Sequence, residues 1–395
     1  MYTPSYYEFV NPGKILSGKY ALENIASEFR LLGASSALVL SDKVLNDLGQ
    51  VKVLCDALTS GGLSVASIFT DIPSDSSIEV VNSIASIYRS SGADSIVALG
   101  GGSVIDTAKG VRMLISQGGD DIMKFVGAEV LPRAVQIPFA AVPTTSGTGS
   151  EATAVAVIKD NARKVKMEFI SQFLLPDLAV LDERFTLSMP KRITAMTGLD
   201  ALTHAIESYS CLQKNPISQS YARSAILLIH ENLEKCISTP GDRKARLALA
   251  NGSLLAGSAF SNSMVGIVHA IGHSLGGVCG LPHGLAMAIL LPHCMRFNLD
   301  KCADDYEDIL SFLIAPEDFV ATKKGDRAMR CVEEVSSFTS NVASRSGLSL
   351  RLGENNVSRQ DFDEVAKRAI NDGAMIVNPK AVGFRDVLDI LNSAL

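Results

Sequence analysis

The order of strand-like and helix-like segments predicts a chain in two parts: an α/β domain over residues 1–190 built on a parallel sheet, and an all-helical domain over residues 191–395. Three observations lead there. Short apolar runs alternate with helical-period segments in the first half, the pattern of strand–helix–strand crossovers. One such run enters a glycine cluster directly ahead of a helical pattern. Beyond Pro190 the apolar stripes recur at the 3.6-residue period and convincing strands disappear.

Taken in order, SALVL at Ser36–Leu40 is a short apolar run that ends at Ser41 and Asp42, and LSVASIFT at 63–70 is a second. Residues 78–90 carry apolar positions at helical spacing, and DSIVAL at 94–99 runs into Gly100-Gly101-Gly102. Further strands are expected at 139–142, 154–159 and 178–181. The latter two are expected to form an added hairpin-like segment with Lys164 to Ile170. Helices are expected at 193–209, 218–236, 243–260, 267–278 and 361–369, with the Ser-rich stretch 336–349 as a loop between helices. No repeat recurs at any period of about 20–50 residues.

The 395 residues hold 36 Lys and Arg against 42 Asp and Glu, a formal charge of −6, with 47% hydrophobic and 20% charged residues. That composition excludes disordered and fibrous classes. Basic residues come only in short pieces such as Arg163-Lys164 and Arg243-Lys244, so a nucleic-acid footprint is excluded and small molecules are the expected partners. The opening MYTPSYYEFV has neither a basic nor an apolar signal region, and no run reaches the ~18 apolar residues that span a bilayer. A cytoplasmic protein is expected. Seven cysteines, odd in number and never in a C-x-x-C pair, read as free buried thiols.

Four places carry chemistry. Gly100-Gly101-Gly102-Ser103 opens a helix, and Ser103 with Asp106 has the spacing of a capping box. Backbone without Cβ atoms and free amides at a helix start suit a pyrophosphate, though a tight strand-to-helix turn uses the same residues. Gly147-x-Gly149-x-x-Ala152 satisfies a dinucleotide fingerprint in form. The β-rich TAVAVI that follows rules that fingerprint out and leaves a hydroxyl-rich loop suited to ribose or phosphate, or simply a surface turn. Asp42 ends an early strand, where a carboxylate accepts from an adenosine ribose and repels a 2′-phosphate. It is equally placed to cap the helix that follows.

The fourth place is the histidine window. All six histidines fall between His204 and His293. Asp200 and His204, and again His269 and His273, are four residues apart, which puts each pair on one helix face about 6 Å apart along the axis. His283 follows in a Pro/Gly frame at a loop or helix entry. Imidazoles with a carboxylate suit Fe(II), Zn(II) or Mn(II). Cys279 reads as a bystander, and His230 and His293, without helical-spacing partners, read as structural. Neither an HExxH zincin signature nor a Gly-x-Ser-x-Gly elbow occurs.

With these residues in view, the chain resembles the iron-containing (group III) alcohol dehydrogenase family from about residue 5 to its end. The motifs GGGSVIDTAKG, PTTSGTGSEAT, LPDLAVLD with TGLDALTHAIESY, and VHAIGHSLGGVCGLPHG stand in the family's order. The resemblance implies a Rossmann-like NAD-binding domain, a helical metal-binding domain, and an active site in the cleft between them. It implies Asp200, His204, His269 and His283 as ligands of Fe(II), with zinc possible in its place. It moves His273, a fifth ligand by spacing, to a place beside the nicotinamide and substrate as the proton relay. Gly100, Gly101, Gly102 and Ser103 match the diphosphate loop, Thr144, Thr145 and Thr148 line the cofactor, and Lys166, ten residues before Pro176, stands near the nicotinamide ribose. Asp42 matches the strand-end acid of NAD-preferring members.

Several positions depart from the family pattern. Val155 and Ala156 stand where members acting on small diols carry polar side chains, which implies a less polar substrate pocket, and Phe260 matches an aromatic wall of it. Ile267 replaces a commonly aromatic position, and the turn Ile72-Pro73-Ser74-Asp75 lacks a second proline. The implied activity is NAD-dependent interconversion of a small primary alcohol and its aldehyde by a homo-oligomer. Two alternatives remain. A lyase or synthase that uses NAD transiently, as dehydroquinate synthase does, would need a basic pocket for an anionic substrate. A regulatory NAD sensor would bind no metal.

Overall fold

The computed structural model describes residues 2–11, 13–128, 131, 137–163 and 165–395. Contact density divides the chain into an α/β unit, Val10–Ser188, and a helical unit in which the segment ending at Phe9 joins Met189–Leu395.

The α/β unit carries strands β1 (Lys14–Ser17), β2 (Ser36–Leu40), β3 (Ser64–Phe69), β4 (Ser95–Gly100), β5 (Gly127–Ala128), β6 (Phe139–Pro143), β7 (Val155–Asp160), β8 (Val165–Ile170) and β9 (Leu178–Leu181). Its helices are α1 (Ile25–Leu31), α2 (Lys43–Asp47), α3 (Gln50–Ser60), α4 (Ile78–Ser91) and α5 (Gly102–Ser116). Six strands form one parallel sheet in the order β1-β9-β6-β4-β2-β3. Successive side chains of a strand point to opposite faces. Leu38, Leu40, Ile96, Ala98, Phe139 and Ala141 pack with Val81, Ile84, Val104 and Ala108 of α4 and α5. Their alternates Ala37, Val39, Val97, Leu99, Ala140 and Val142 pack with Ile25, Phe29, Leu54 and Leu58 of α1 and α3. Covering both faces is what requires these strands to be continuously apolar.

The chain leaves β2 toward β3 and then returns past it to β4, so the winding reverses between β2 and β4. In open α/β sheets the crevice beyond the carboxyl ends of the strands at this reversal is where ligands bind. Asp42 and Gly100 stand at those two ends.

Several sequence expectations change here. Leu178–Leu181 does not join the hairpin. As β9 it pairs in parallel with β6 and β1, Ala179 lying between Ala141 and Ile15, and its fully buried pattern is that of an interior parallel strand. The hairpin is β7 antiparallel to β8, with β5 alongside β8; Lys164, its expected first residue on the return, lies outside the described residues. β1 was not anticipated, because a four-residue, half-exposed run carries too little pattern. The capping box at Ser103 is absent. Gly101 is the N-cap of α5, the Ser103 hydroxyl accepts from the Asp75 amide (3.1 Å), and Asp106 turns inward to accept from the Ser150 hydroxyl and the Val157 amide (2.6 and 3.0 Å).

The helical unit contains α6 (Lys191–Ser210), α7 (Pro216–Ser238), α8 (Arg243–Phe260), α9 (Ile267–Cys279), α10 (His283–Asn298), α11 (Ala303–Leu313), α12 (Pro316–Ala321), α13 (Arg327–Ser346), α14 (Phe362–Ala369) and α15 (Phe384–Ser393). No helix among the described residues is long and apolar enough to cross a membrane. α6 is buried along most of its length against α7, α8 and α10. The Ser-rich stretch read as a loop is the second half of α13. Val335, Phe338, Thr339 and Val342 keep the helical stripe buried, and Ser340 and Ser346 hydrogen bond back to the carbonyls of Ser336 and Val342, which satisfies their hydroxyls without breaking the helix.

Arg112 of α5 fastens the entries to β6 and β9. Its buried guanidinium donates to the carbonyls of Ile137 and Leu175 and to Asp177 Oδ2, each at 2.8 Å, and the same carboxylate oxygen accepts from the Phe139 amide. Arg112→Met leaves Asp177 without its cation and is expected to cost about 3 kcal/mol in denaturant unfolding. A loss below ~1 kcal/mol would show that this pair does not hold the sheet together.

Candidate metal centre and cofactor face

Helix α6 sets Asp200, His204 and Glu207 on one face at spacings of four and three residues. α9 brings in His269, and α10 begins with His283 directly after Pro282. Gly284 lets that helix start come close to α6: a Cβ there would lie 2.5 Å from the Met196 carbonyl oxygen.

Asp200, His204, His269 and His283 each offer one donor atom, and the four atoms lie within 4.8 Å of one another. Asp200 Oδ1 is 3.9 Å from His204 Nδ1, 3.9 Å from His269 Nε2 and 3.3 Å from His283 Nε2. Asp200 Oδ1, His204 Nδ1 and His269 Nε2 are buried and make no hydrogen bond. Orphaned buried acceptors are costly and rare. Three of them turned on one point fit a cation.

The protonation states suit one too. Burial pushes the Asp200 carboxyl up, but the His204 and His283 imidazoles beside it outweigh burial and hold the group well below the usual carboxylate range. Burial takes His204 down to about 3 against the pull of Asp200, and takes His269 well below its ordinary value. One carboxylate and neutral imidazoles are the forms that bind metal.

Two acids that sequence reasoning missed hold histidines of this cluster, one a ligand candidate and one beside it. Glu207 Oε2 lies 2.5 Å from His269 Nδ1, and its other oxygen accepts from the Val268 amide at 2.8 Å. Burial raises Glu207 to about 7 despite the backbone donors of Gly266 and Val268. A proton held between Glu207 and Nδ1 leaves His269 Nε2 as a free lone pair aimed at Asp200. Asp372 Oδ2 lies 3.0 Å from Nδ1 of His273, which stacks on His283 at 5.5 Å. His273 and His283 are the more exposed edge of the cluster, at 37% and 38%. His204 is sandwiched between Phe260 (4.3 Å) and His269 (4.5 Å). His230 packs on Phe338, and His293 shares a hydrogen bond with the Ser393 hydroxyl, both apart from the cluster. Ile267 packs into the core of the helical unit, and Cys279 is a free thiol packed against it.

In the α/β unit the expected cofactor residues gather at the carboxyl ends of β2, β4 and β6. Asp42 caps α2 by accepting from the Leu45 amide (2.9 Å), and the neighbouring Ser41 hydroxyl donates to the Leu99 carbonyl (2.8 Å), joining the two strand ends. Thr144 donates its amide to the Gly100 carbonyl (3.1 Å). Thr145 and Thr148 lie against Gly101 and Gly102, where added Cβ atoms would meet them at 3.3 and 2.9 Å. Lys166 pairs with Asp75 at 2.6 Å, and the Asp75 amide reaches Ser103. Val155 is half-buried at the start of β7, while Ala156 turns into the core.

Both units of the chain match known proteins. Residues 12–183 match the family described as iron-containing alcohol dehydrogenase, and residues 194–395 match its C-terminal part. The NAD-dependent methanol dehydrogenase of Bacillus methanolicus is 32% identical over 98% of this chain and 99% of its own. A crystal structure of 1,3-propanediol oxidoreductase superposes with a TM-score of 0.92 at 32% identity, covering 99% of this chain and 100% of that one. The sulfoacetaldehyde reductase of Bifidobacterium kashiwanohense, solved in complex with NAD+, superposes with a TM-score of 0.88 at 25% identity, covering 99% of each. With matches of this extent on both units, the chain belongs to the iron-containing alcohol dehydrogenase family.

Proposed function

We propose that this enzyme interconverts a small primary alcohol and its aldehyde with NAD(H), holding Fe(II), or Zn(II) in its place, on Asp200, His204, His269 and His283. The observation that carries this reading is the set of buried, unbonded ligand atoms converging around Asp200. The relatives named above are dehydrogenases or reductases, and the synthase alternative finds no support in them.

When bound, the metal would supply Lewis-acid polarisation of the substrate oxygen and the nicotinamide would carry the hydride. The chain's own residues do the rest. Glu207 fixes the tautomer of His269, and burial disfavours a second proton on His204 and His269. Asp372 holds His273 by Nδ1, and the oriented ring is the group that receives or returns the hydroxyl proton, a task suited to imidazole. Backbone amides of Gly101, Gly102 and Ser103 at the start of α5 are aimed to bind a diphosphate. Thr144, Thr145, Thr148 and Lys166 line the remaining cofactor contacts, and Asp42 accepts from the adenosine ribose. Val155 and Phe260 each offer an apolar side chain for the substrate to meet. Seven free thiols support a cytoplasmic setting, and the edge strand β1 with Ile15 exposed supports assembly as a homo-oligomer.

The direct test is NADH formation from a series of primary alcohols by protein loaded anaerobically with Fe(II) or Zn(II). Turnover with at least one alcohol, abolished by chelation and restored by metal, is expected; no turnover with any would defeat the reading. Glu207→Gln keeps the shape of its side chain but loosens its hold on His269. Metal affinity is expected to fall about 10- to 100-fold in a chelator competition, and unaltered affinity would remove Glu207 from the site. For Asp42→Gly, kcat/KM with NADP should rise relative to NAD. An unchanged ratio would mean that the carboxylate serves only as a cap for α2.

A further inference from the structure

Lys109 lies in the middle of α5, fully buried, and none of the roles given above uses it. Its ammonium donates to the Ser150 hydroxyl at 2.9 Å, the Thr153 hydroxyl at 3.0 Å and the Val155 carbonyl at 2.7 Å. An ammonium has three protons, and these three acceptors use them all. Asp106, one turn earlier on the same helix, lies 3.8 Å away and itself accepts from the Ser150 hydroxyl. Glu151, also buried, lies near enough to favour the ammonium, although burial raises its own carboxyl to about 7.

All three acceptors sit just after the loop that carries Thr144, Thr145 and Thr148. That loop is held at its start by the Thr144 amide on the Gly100 carbonyl. Its middle rests on the bare backbone of Gly101 and Gly102. Its end is held from beneath by Lys109. Filling this space needs only an apolar side chain, and burying an ammonium is costly unless every proton is bonded. What the lysine adds is a fixed spacing between two elements far apart in sequence, the helix start that would bind phosphate and the loop of hydroxyls that faces it.

We propose that Lys109 is the positioning residue of the cofactor face, setting the distance between the glycine start of α5 and the threonine loop and so the affinity for NAD. This rests on the NAD reading given above. Its ammonium is buried and bonded within the fold, and it lies in a different unit from the metal ligands.

The test compares wild-type and Lys109→Met enzyme loaded with Fe(II). Measured are KM for NAD, KM for the alcohol, metal content, and NADH binding by the fluorescence of the coenzyme itself, since the chain has no tryptophan. KM for NAD and Kd for NADH are expected to rise about tenfold or more, the effect of losing a charged hydrogen-bond network. Metal content and KM for the alcohol should not change. A lysine that served only the fold would lower the active fraction, and with it kcat, at unchanged KM for NAD; that outcome overturns the proposal. Where Lys109→Met does not fold, Thr153→Val removes one acceptor and keeps the ammonium, and a smaller rise in both constants is expected. Wild-type values for that variant would equally overturn it. NADH binding is read without turnover, so a wild-type protein that binds NADH but oxidises no alcohol would count against the dehydrogenase reading and leave the role of Lys109 to be decided by binding alone.

Discussion

One oxygen atom constrains the helical unit. Asp200 Oδ1 is buried among three imidazole nitrogens at 3.3–3.9 Å and bonds to none of them. Burial disfavours the charged form of His204 and His269, and the imidazoles gathered around Asp200 favour its ionised carboxylate, so the cluster is a set of lone pairs turned on one another. Such an arrangement is unfavourable without a cation and must be held by everything around it. That need accounts for a helix as polar as α6 running through the core, for Phe260 pressed on His204, and for the glycine that brings the start of α10 within reach of α6.

The α/β unit solves a different problem with parallel strands. Their common direction puts Asp42, Gly100 and Thr144 at one end of the sheet, although they lie far apart in the chain. The Ser41 bond to Leu99 and the Thr144 bond to Gly100 then tie neighbouring strand ends together, so a ligand spanning them meets a rigid platform. Lys109 extends the same device one layer deeper.

How much of this was legible in the sequence depends on the distance over which each feature is specified. Asp200 with His204 could be read from spacing, because a helix converts four residues into one face. His269 with His273 has the same spacing, yet only His269 turns to the cluster's buried side, a distinction that tertiary packing makes. Glu207 and Asp372 could not be read, since their partners lie 62 and 99 residues away. β9 was visible as a strand but not in its place in the sheet, which only strand pairing decides. The stretch at 336–349 was misjudged because serine composition outweighed a correct helical period, and the hydroxyls found acceptors inside the helix. Ser103 failed as a cap because a tertiary partner, the Asp75 amide, claimed its hydroxyl.

That last substitution leaves the first turn of α5 with no side chain folded over its amides. A capping hydroxyl would have been an internal competitor that an arriving diphosphate had first to dislodge. Here an anion would have no capping side chain to displace from the first turn. A helix start without a side-chain cap is thereby one that would gain from an anion in place.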